Sequence, residues 1–223
     1  MSLRLIEYRL FGLITIFVAV ALLSLVGCGY HLDRLKKAPP PPIEPWNPDV
    51  YGTFIAENRV LMDHIYRDEY VEYTFIVDSE VGSVPIQDLI DPEAVRSLAK
   101  QILPAESESS QILDAAQRYL MIAIRYRARP GAWMTVNETL EIGAADCKGR
   151  SLLLLSLLLA ANQEAYAAIS NGHMWVVIQV DGRWQTVETD PDPERRRIYS
   201  MPGFYERPLY KIYADRTMKR RRR

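Results

Sequence analysis

Two cysteines occur in this chain of 223 residues, in different sequence surroundings. Cys28 ends an N-terminal apolar run, whereas Cys147 lies four residues before the start of the segment SLLLLSLLLA. A free thiol such as Cys147 can be a small buried side chain, an intermolecular disulfide partner or a nucleophile. Its position favours a nucleophile, because Asp146 can cap a helix that begins at Cys147 and the helix start favours a thiolate. Lys148 and Arg150 add positive charge nearby, and the free N–H groups of the helix start could bind an oxyanion.

A cysteine nucleophile needs a base, and the chain holds three histidines. His31 lies in a proline-rich tether and His64 lies in a predicted helix. His173 opens the first strand of a predicted hairpin and is therefore the candidate base. An isolated histidine at a strand start is more often structural, but here a helix-capping cysteine precedes it in the same compact unit.

Two acids in the second strand of the hairpin could orient His173. The runs HMWVVIQV and RWQTVETD flank Asp181-Gly182, which predicts a two-residue turn and so fixes the register of the strands. Counting outward from the turn, Asp190 lies directly across from His173, and Glu188 lies diagonally on the same face. This geometry favours Asp190, and the alternative for both acids is a solvated carboxylate at a strand end.

Along the chain, the predicted elements that would position these residues are helices, followed by strands. Helices are predicted over FIAENRVLMDHIYRDEYVEY, from Asp91 through AVRSLAKQIL to Pro104, over SESSQILDAAQRYLMIAIRYR, and from Cys147 through the apolar run. AYAAIS is a predicted strand before the hairpin. This order predicts an α+β domain in which the apolar helix is buried against an antiparallel sheet.

The N-terminal segment has the features of an export signal. Arg4 and Arg9 precede an apolar run that ends in LVGC, and this ending resembles the lipobox of bacterial lipoproteins. On that resemblance, residues 1–27 are a signal peptide, and Cys28 carries lipid, such as palmitate, as the new N-terminus. The alternative is an uncleaved helix of nearly spanning length, and both interpretations place the rest of the chain outside the cytoplasm. Gly29 is not the Asp that often retains lipoproteins at an inner membrane, so the outer membrane facing the periplasm is expected.

The chain then divides into a proline-rich tether over residues 28–45, a domain over 46–215 and a basic tail over 216–223. The tail ends in KRRRR and is expected to be solvated and disordered. A net charge of −1 implies no long-range attraction to nucleic acid. With one well-placed histidine and one free cysteine, no metal site and no cofactor are expected.

From about Pro92 to Pro191 the chain resembles a transglutaminase-like domain of the papain-like Cys-His-Asp superfamily. ETLEIGAADCKGRSLLLLSLLLAANQEAYA resembles the cysteine helix of that family, and HMWVVIQVDGRW resembles its histidine strand and following turn. The resemblance implies a papain-like core with Cys147 as the nucleophile and His173 as the base. Relatives can also place an aromatic residue, here Trp133, near the oxyanion site.

The family acid usually follows the tryptophan of GRW by four positions, which is Glu188 in this chain, where Asp is more usual. Asp190-Pro191 resembles the Asp-Pro pair often seen at this point but comes two residues late. The resemblance therefore ranks Glu188 first and Asp190 second, against the order that the turn geometry favours.

The resemblance implies a membrane-anchored cysteine hydrolase or acyltransferase that acts on amide bonds of proteins or peptidoglycan peptides. Hydrolysis is favoured over crosslinking, because water is always present and no acceptor site is evident. The alternative is a catalytically inactive transglutaminase-like lipoprotein that serves as a binding or assembly module, which the altered acid position would support.

Overall fold

The structure is a computed structural model that describes residues 59–61, 70–105, 107–128, 133–170, 172–190, 205 and 208–221. The described residues lie within a single compact unit. They form a mixed α/β fold with an antiparallel sheet, in agreement with the coarse prediction from the sequence. The predicted signal peptide (1–27), the tether (28–45) and Cys28 lie outside the described residues.

A seven-stranded sheet forms one side of the fold. The strands along the chain are β1 (Arg59–Leu61), β2 (Tyr70–Glu72), β3 (Ile76–Ser79), β4 (Gly82–Pro85), β5 (Arg125–Tyr126), β6 (Ala144–Ala145), β7 (Ala165–Ser170), β8 (His173–Val180), β9 (Arg183–Val187), β10 (Tyr210–Tyr213) and β11 (Met218–Arg221). The order across the large sheet is β1-β9-β8-β7-β10-β11-β2, and all neighbours in it are antiparallel. Strands β3 and β4 form a separate hairpin, and β5 pairs with β6 in parallel.

The helices pack on one face of this sheet. They are α1 (Arg96–Ile102), α2 (Ser109–Ala123), α3 (Val136–Ile142) and α4 (Cys147–Ala160), with a 3-10 helix at Ile86–Leu89. Helix α4 contacts β7 and β8 on one side and α1, α2 and α3 on the other, so its leucines from Leu152 to Leu158 are fully buried. The predicted buried helix against an antiparallel sheet is therefore confirmed. None of the described helices combines the length and the apolar composition that crossing a membrane requires.

The predicted hairpin is confirmed in its turn and its register. Asp181 and Gly182 have φ angles of 52° and 73°, the left-handed conformation that a tight two-residue hairpin turn requires. Val180 pairs with Arg183 across this turn. The preceding strand AYAAIS is also confirmed, as β7. The turn therefore fixes which residues of β8 and β9 face each other.

The first predicted helix, over FIAENRVLMDHIYRDEYVEY, is wrong where the structure describes that segment. It contains β1, which pairs with β9, and β2, which pairs with β11. Both strands are short and contain β-branched or aromatic residues, and pairing with distant strands overrides a local helical spacing. The sequence contains no local signal for such distant partners.

Helix α3 was missed, although its ends carry clear signals. The Thr135 side chain accepts a hydrogen bond from the Glu138 N–H at 3.0 Å, and Gly143 ends the helix with a φ of 63°. A capping Thr followed three residues later by Glu, with Gly just past the end, is a helix signature. Helices α1 and α2 lie within the predicted segments but are shorter. The first begins at Arg96, after a turn that Asp91 caps through its bond from the Ala94 N–H, and the second ends at Ala123, before β5.

The basic tail is not disordered over the part that the structure describes. Residues 218–221 form β11, which lies between β10 and β2 in the large sheet. Met218 is buried, and Lys219 and Arg220 lie over the rings of Tyr213 and Tyr73. The prediction of a solvated tail from Lys219 is therefore wrong for 219–221, because the charged heads lie over aromatic rings while the backbone completes the sheet.

Candidate active site

The start of α4 holds Cys147 in the first turn of the helix. The Asp146 carboxylate accepts hydrogen bonds from the N–H groups of Lys148 at 3.0 Å and Gly149 at 3.3 Å. Asp146 is therefore the helix cap, as the sequence predicts. Cys147 is only 7% exposed. The thiol therefore lies at a capped helix start inside the protein.

Gly149 allows this helix start to approach its neighbours closely. A Cβ atom at position 149 would lie 2.8 Å from the Ala145 Cβ and 3.1 Å from the Thr139 Oγ1. No real Cβ tolerates the shorter distance, so glycine is required for α4 to pack at this spacing against β6 and α3. The first turn of α4, which carries the thiol, therefore packs closely against both neighbours.

His173 binds a carboxylate through one ring nitrogen. Its Nε2 lies 2.8 Å from the Glu188 Oε2, and the two side chains are 0% and 3% exposed. The Trp175 ring stacks beside the imidazole with a centroid distance of 5.8 Å and an interplanar angle of 20°. Since Nε2 binds Glu188, the hydrogen bond between His173 and the Cys147 thiol is assigned to Nδ1.

Four donors fix the Glu188 carboxylate. Its Oε2 accepts from His173 and from the Tyr205 hydroxyl at 3.1 Å, and its Oε1 accepts from the N–H groups of Thr189 at 2.8 Å and Asp190 at 3.2 Å. Tyr205 was not predicted as a site residue, because no motif or spacing relates it to the histidine. Its ring also packs edge-on against Trp175 at 5.4 Å, so Tyr205 contacts both Glu188 and the ring that stacks on His173.

Glu188 therefore binds the imidazole directly, through its 2.8 Å contact with Nε2. If the pairing of β8 with β9 continued past Val187, Asp190 would lie across from His173, as predicted. However, β9 ends at Val187, and the residues after it are no longer paired with β8. Glu188 reaches the histidine along the diagonal without a bulge. Asp190 is 0% exposed, so the alternative of a solvated strand-end acid is wrong for it.

The pair changes the protonation of the imidazole. Burial by itself lowers the pKa of His173, but hydrogen bonds and charges of Cys147 and Glu188 outweigh burial and raise that pKa to about 9. The imidazole is therefore mostly protonated at neutral pH. A cationic ring beside a thiol favours the thiolate, which is the nucleophilic form of cysteine.

The nearby cations are arranged differently from the sequence-based expectation. Lys148 forms an ion pair with Asp146, and its ammonium lies 5.6 Å from the centroid of the Trp133 ring. Arg150 is buried, with its guanidinium directed at backbone carbonyls and its charge beside Asp190. The charges of Lys148 and Arg150 are therefore already paired with acidic groups. The positive charge that interacts with the thiol is that of His173.

The oxyanion donors also differ from the expectation. The N–H groups of Lys148 and Gly149 are already bound by Asp146, which leaves the Cys147 N–H as the first-turn donor without an acceptor among the described residues. Trp133 lies against Lys148 and packs edge-on against Phe75, with ring centroids 6.3 Å apart. No cluster of His, Cys, Asp and Glu that could hold a metal ion occurs in the described part of the chain.

Comparison with known proteins gives one distant structural similarity. A solved structure of a candidate cysteine protease from Cytophaga hutchinsonii superposes with a TM-score of 0.39 at 12% sequence identity. The match spans 45% of this chain and 38% of that chain. No protein-family model and no curated protein matches the sequence.

Proposed function

We propose that this chain is a transglutaminase-like cysteine hydrolase with a papain-like core, held at the bacterial envelope by a lipid on Cys28. It cleaves amide bonds in protein or peptidoglycan-peptide substrates. One observation carries the proposal: His173 and Glu188 form a buried pair with a 2.8 Å contact, and Cys147, at a helix start, acts on the same imidazole. A nucleophile next to a base that an acid orients is the arrangement of Cys-His-acid catalysis.

The proposed reaction passes through a thioester. The Cys147 thiolate attacks the amide carbonyl carbon, and the Cys147 N–H binds the resulting oxyanion. The His173 imidazolium donates its Nδ1 proton to the leaving nitrogen as the carbon–nitrogen bond breaks. The neutral imidazole then takes a proton from water, the hydroxide attacks the thioester, and a carboxylic acid leaves as thiolate and imidazolium re-form.

Glu188 keeps the imidazole in place through this cycle. Its Oε2 accepts the Nε2–H, so the ring presents Nδ1 to the thiol at every step. The carboxylate also stabilises the imidazolium, which is present in the resting enzyme and after product release. The bonds from Tyr205 and from the 189 and 190 N–H groups prevent Glu188 from rotating away.

Selective alkylation tests the thiolate. Iodoacetamide should modify Cys147 at pH 6 at least about tenfold faster than a peptide cysteine, because an ordinary thiol is well under about 1% ionised there. His173→Ala should abolish the advantage. Mapping the label by peptide mass separates Cys147 from Cys28. If Cys147 is alkylated at the same rate as the peptide cysteine, and His173→Ala does not change this rate, the proposed enzymatic function is wrong.

The second candidate is a catalytically inactive binding or assembly module. The observation that favours it is the 7% exposure of Cys147, which leaves little of the thiol open to a substrate. The same alkylation separates the two, since a module needs no activated thiol.

The lipid anchor has its own test. Cys28→Ala should abolish incorporation of labelled palmitate and cleavage of the signal peptide, and it should release the protein from the membrane fraction. Equal palmitate label in the variant and the parent would reject Cys28 as the attachment site. Outer-membrane fractionation tests the expected location.

A further inference from the structure

Arg150 joins the helix that carries the cysteine to two other elements. It is 2% exposed and lies one turn after Cys147 on α4. Its Nε donates to the Thr189 carbonyl at 2.8 Å, its Nη1 donates to the Ile124 carbonyl, and its Nη2 lies 3.5 Å from the Met121 Sδ. One planar guanidinium thus fixes the end of α2 and the segment after β9 relative to α4.

The segment after β9 carries the orienting acid. Thr189 lies between Glu188 and Asp190, and β9 has already ended at Val187, so strand pairing does not position these residues. Thr189 attaches this segment to α4. Besides the Arg150 bond, the Thr189 hydroxyl lies 3.0 Å from the Ser151 hydroxyl and donates to the Cys147 carbonyl at 3.4 Å.

The charge of Arg150 is balanced inside the protein. Burial lowers the pKa of Arg150 to about 10, against the opposing effects of Asp190 and Tyr126, so the guanidinium stays charged at neutral pH. An unpaired buried charge would be costly, and the Asp190 carboxylate offsets this cost. The residue that the turn geometry favoured as the acid is therefore the charge partner of Arg150.

We propose that Arg150 is a positioning residue, whose bond to the Thr189 carbonyl holds the segment 188–190 where the Glu188 carboxylate reaches His173. The inference rests on the proposed function for its readout, because the quality of the His173–Glu188 contact is measured through the thiol. The other titratable groups at the His173–Glu188 pair are Cys147, which acts on the imidazole, and Tyr205, which binds Glu188.

The test is the pH profile of Cys147 alkylation. Arg150→Met should lower the rate at pH 6 at least about tenfold and move the profile toward that of a peptide cysteine, because a displaced Glu188 no longer stabilises the imidazolium. Arg150→Lys keeps the charge, but a single ammonium cannot replace the planar guanidinium that donates to two carbonyls. The pH profile of this variant should therefore lie between those of the wild type and of Arg150→Met. Leu113→Ala in the core of α2 is the matched control, which lowers stability without moving the profile.

A double variant guards against misfolding. Arg150→Met alone leaves Asp190 buried without its partner charge, whereas Arg150→Met with Asp190→Asn removes both charges and should fold. The double variant should also lose the fast reaction at pH 6, and Asp190→Asn alone should largely keep it. If the folded double variant and Arg150→Lys both retain the wild-type profile, the positioning role is overturned. If Cys147 of the wild-type protein is alkylated like a peptide cysteine, the proposed function itself fails. This result is distinct from failure of the positioning role alone, in which the wild-type protein reacts fast and the variants keep its profile.

Discussion

Two buried carboxylates, Glu188 and Asp190, lie two residues apart and have different surroundings. Glu188 is in contact with His173 and receives hydrogen bonds from four donors. Asp190 is fully buried and its charge acts on Arg150. At this scale, the assignment of the acid depends on where the backbone leaves the ladder after Val187, and not on which residue faces the histidine by register.

The two acids should therefore respond differently to loss of charge. Glu188→Gln should lower the alkylation rate of Cys147 at pH 6 by about a hundredfold or more, since the imidazolium loses its stabilising carboxylate. Asp190→Asn should change that rate only a few fold but lower the free energy of unfolding by about 1–3 kcal/mol, because a buried partner of a charged group is removed. Alkylation kinetics and urea unfolding measure the two effects. The opposite ranking of the rates would show that Asp190 is the functional acid.

The protonation of His173 also predicts a pH dependence of stability. Burial opposes the charged ring, but Cys147 and Glu188 raise the pKa of His173 from 6.5 to about 9. A raised pKa stabilises the folded state fully below about pH 6.5, and this stabilisation is lost as the pH rises through about 9. The stability difference between wild type and His173→Gln should shrink over that window by up to about 3 kcal/mol. Urea unfolding at intervals across the window measures it, and a constant difference would contradict a protonated imidazole in the folded state.

The start of α4 is the element that brings the reactive groups together. Its cap, Asp146, fixes the first turn, and Gly149 lets that turn lie close to β6 and α3. The thiol can be placed beside β8 only because no side chain at position 149 pushes the helix away.

Gly149→Ala should consequently destabilise the protein, although alanine is the better helix former. The added methyl would lie 2.8 Å from the Ala145 Cβ, and overpacking of this kind outweighs the propensity gain to leave a net loss of about 1–2 kcal/mol. Thermal unfolding measures the loss. The compensating double variant Gly149→Ala with Ala145→Gly should recover at least half of it, and no recovery would show that this contact is not the cause.

At the scale of the whole molecule, the basic C-terminal segment belongs to the sheet. Strand β11 pairs with β10 on one side and β2 on the other, and it contributes the buried Met218. It therefore links β2 to the rest of the sheet, since β2 has no other neighbour among the described strands.

Removal of this strand should weaken the fold. A chain that ends at Thr217 should lose more than about 2 kcal/mol of stability, from the burial of Met218 and the two strand pairings. A chain that ends at Arg221 is the control and should unfold at the temperature of the full chain. Thermal unfolding by circular dichroism compares the three. Equal midpoints for all of them would mean that 218–221 contribute nothing to the fold.

The sequence predicts the parts of this protein that depend on local signals. The cap at Asp146, the buried helix α4 and the Asp181-Gly182 turn are each determined by residues next to one another, and all three occur in the structure. Strands β1 and β2 depend on partners far along the chain, so a local helical spacing was misleading. Tyr205 could not be found for the same reason, because only the folded chain brings its hydroxyl to Glu188.

The same pairing of β2 with β11 restricts the order in which the chain can fold. Helix α4 and strands β7, β8 and β9 are contiguous in sequence, so they can associate while the chain is still being made. Strand β2 is synthesised long before β11, so it cannot pair until β11 has been made. The pairing is also slow, because closing so long a loop is entropically costly. Until then the backbone N–H and C=O groups of β2 are open to pairing with other chains, so aggregation is favoured during the interval before β11 is made.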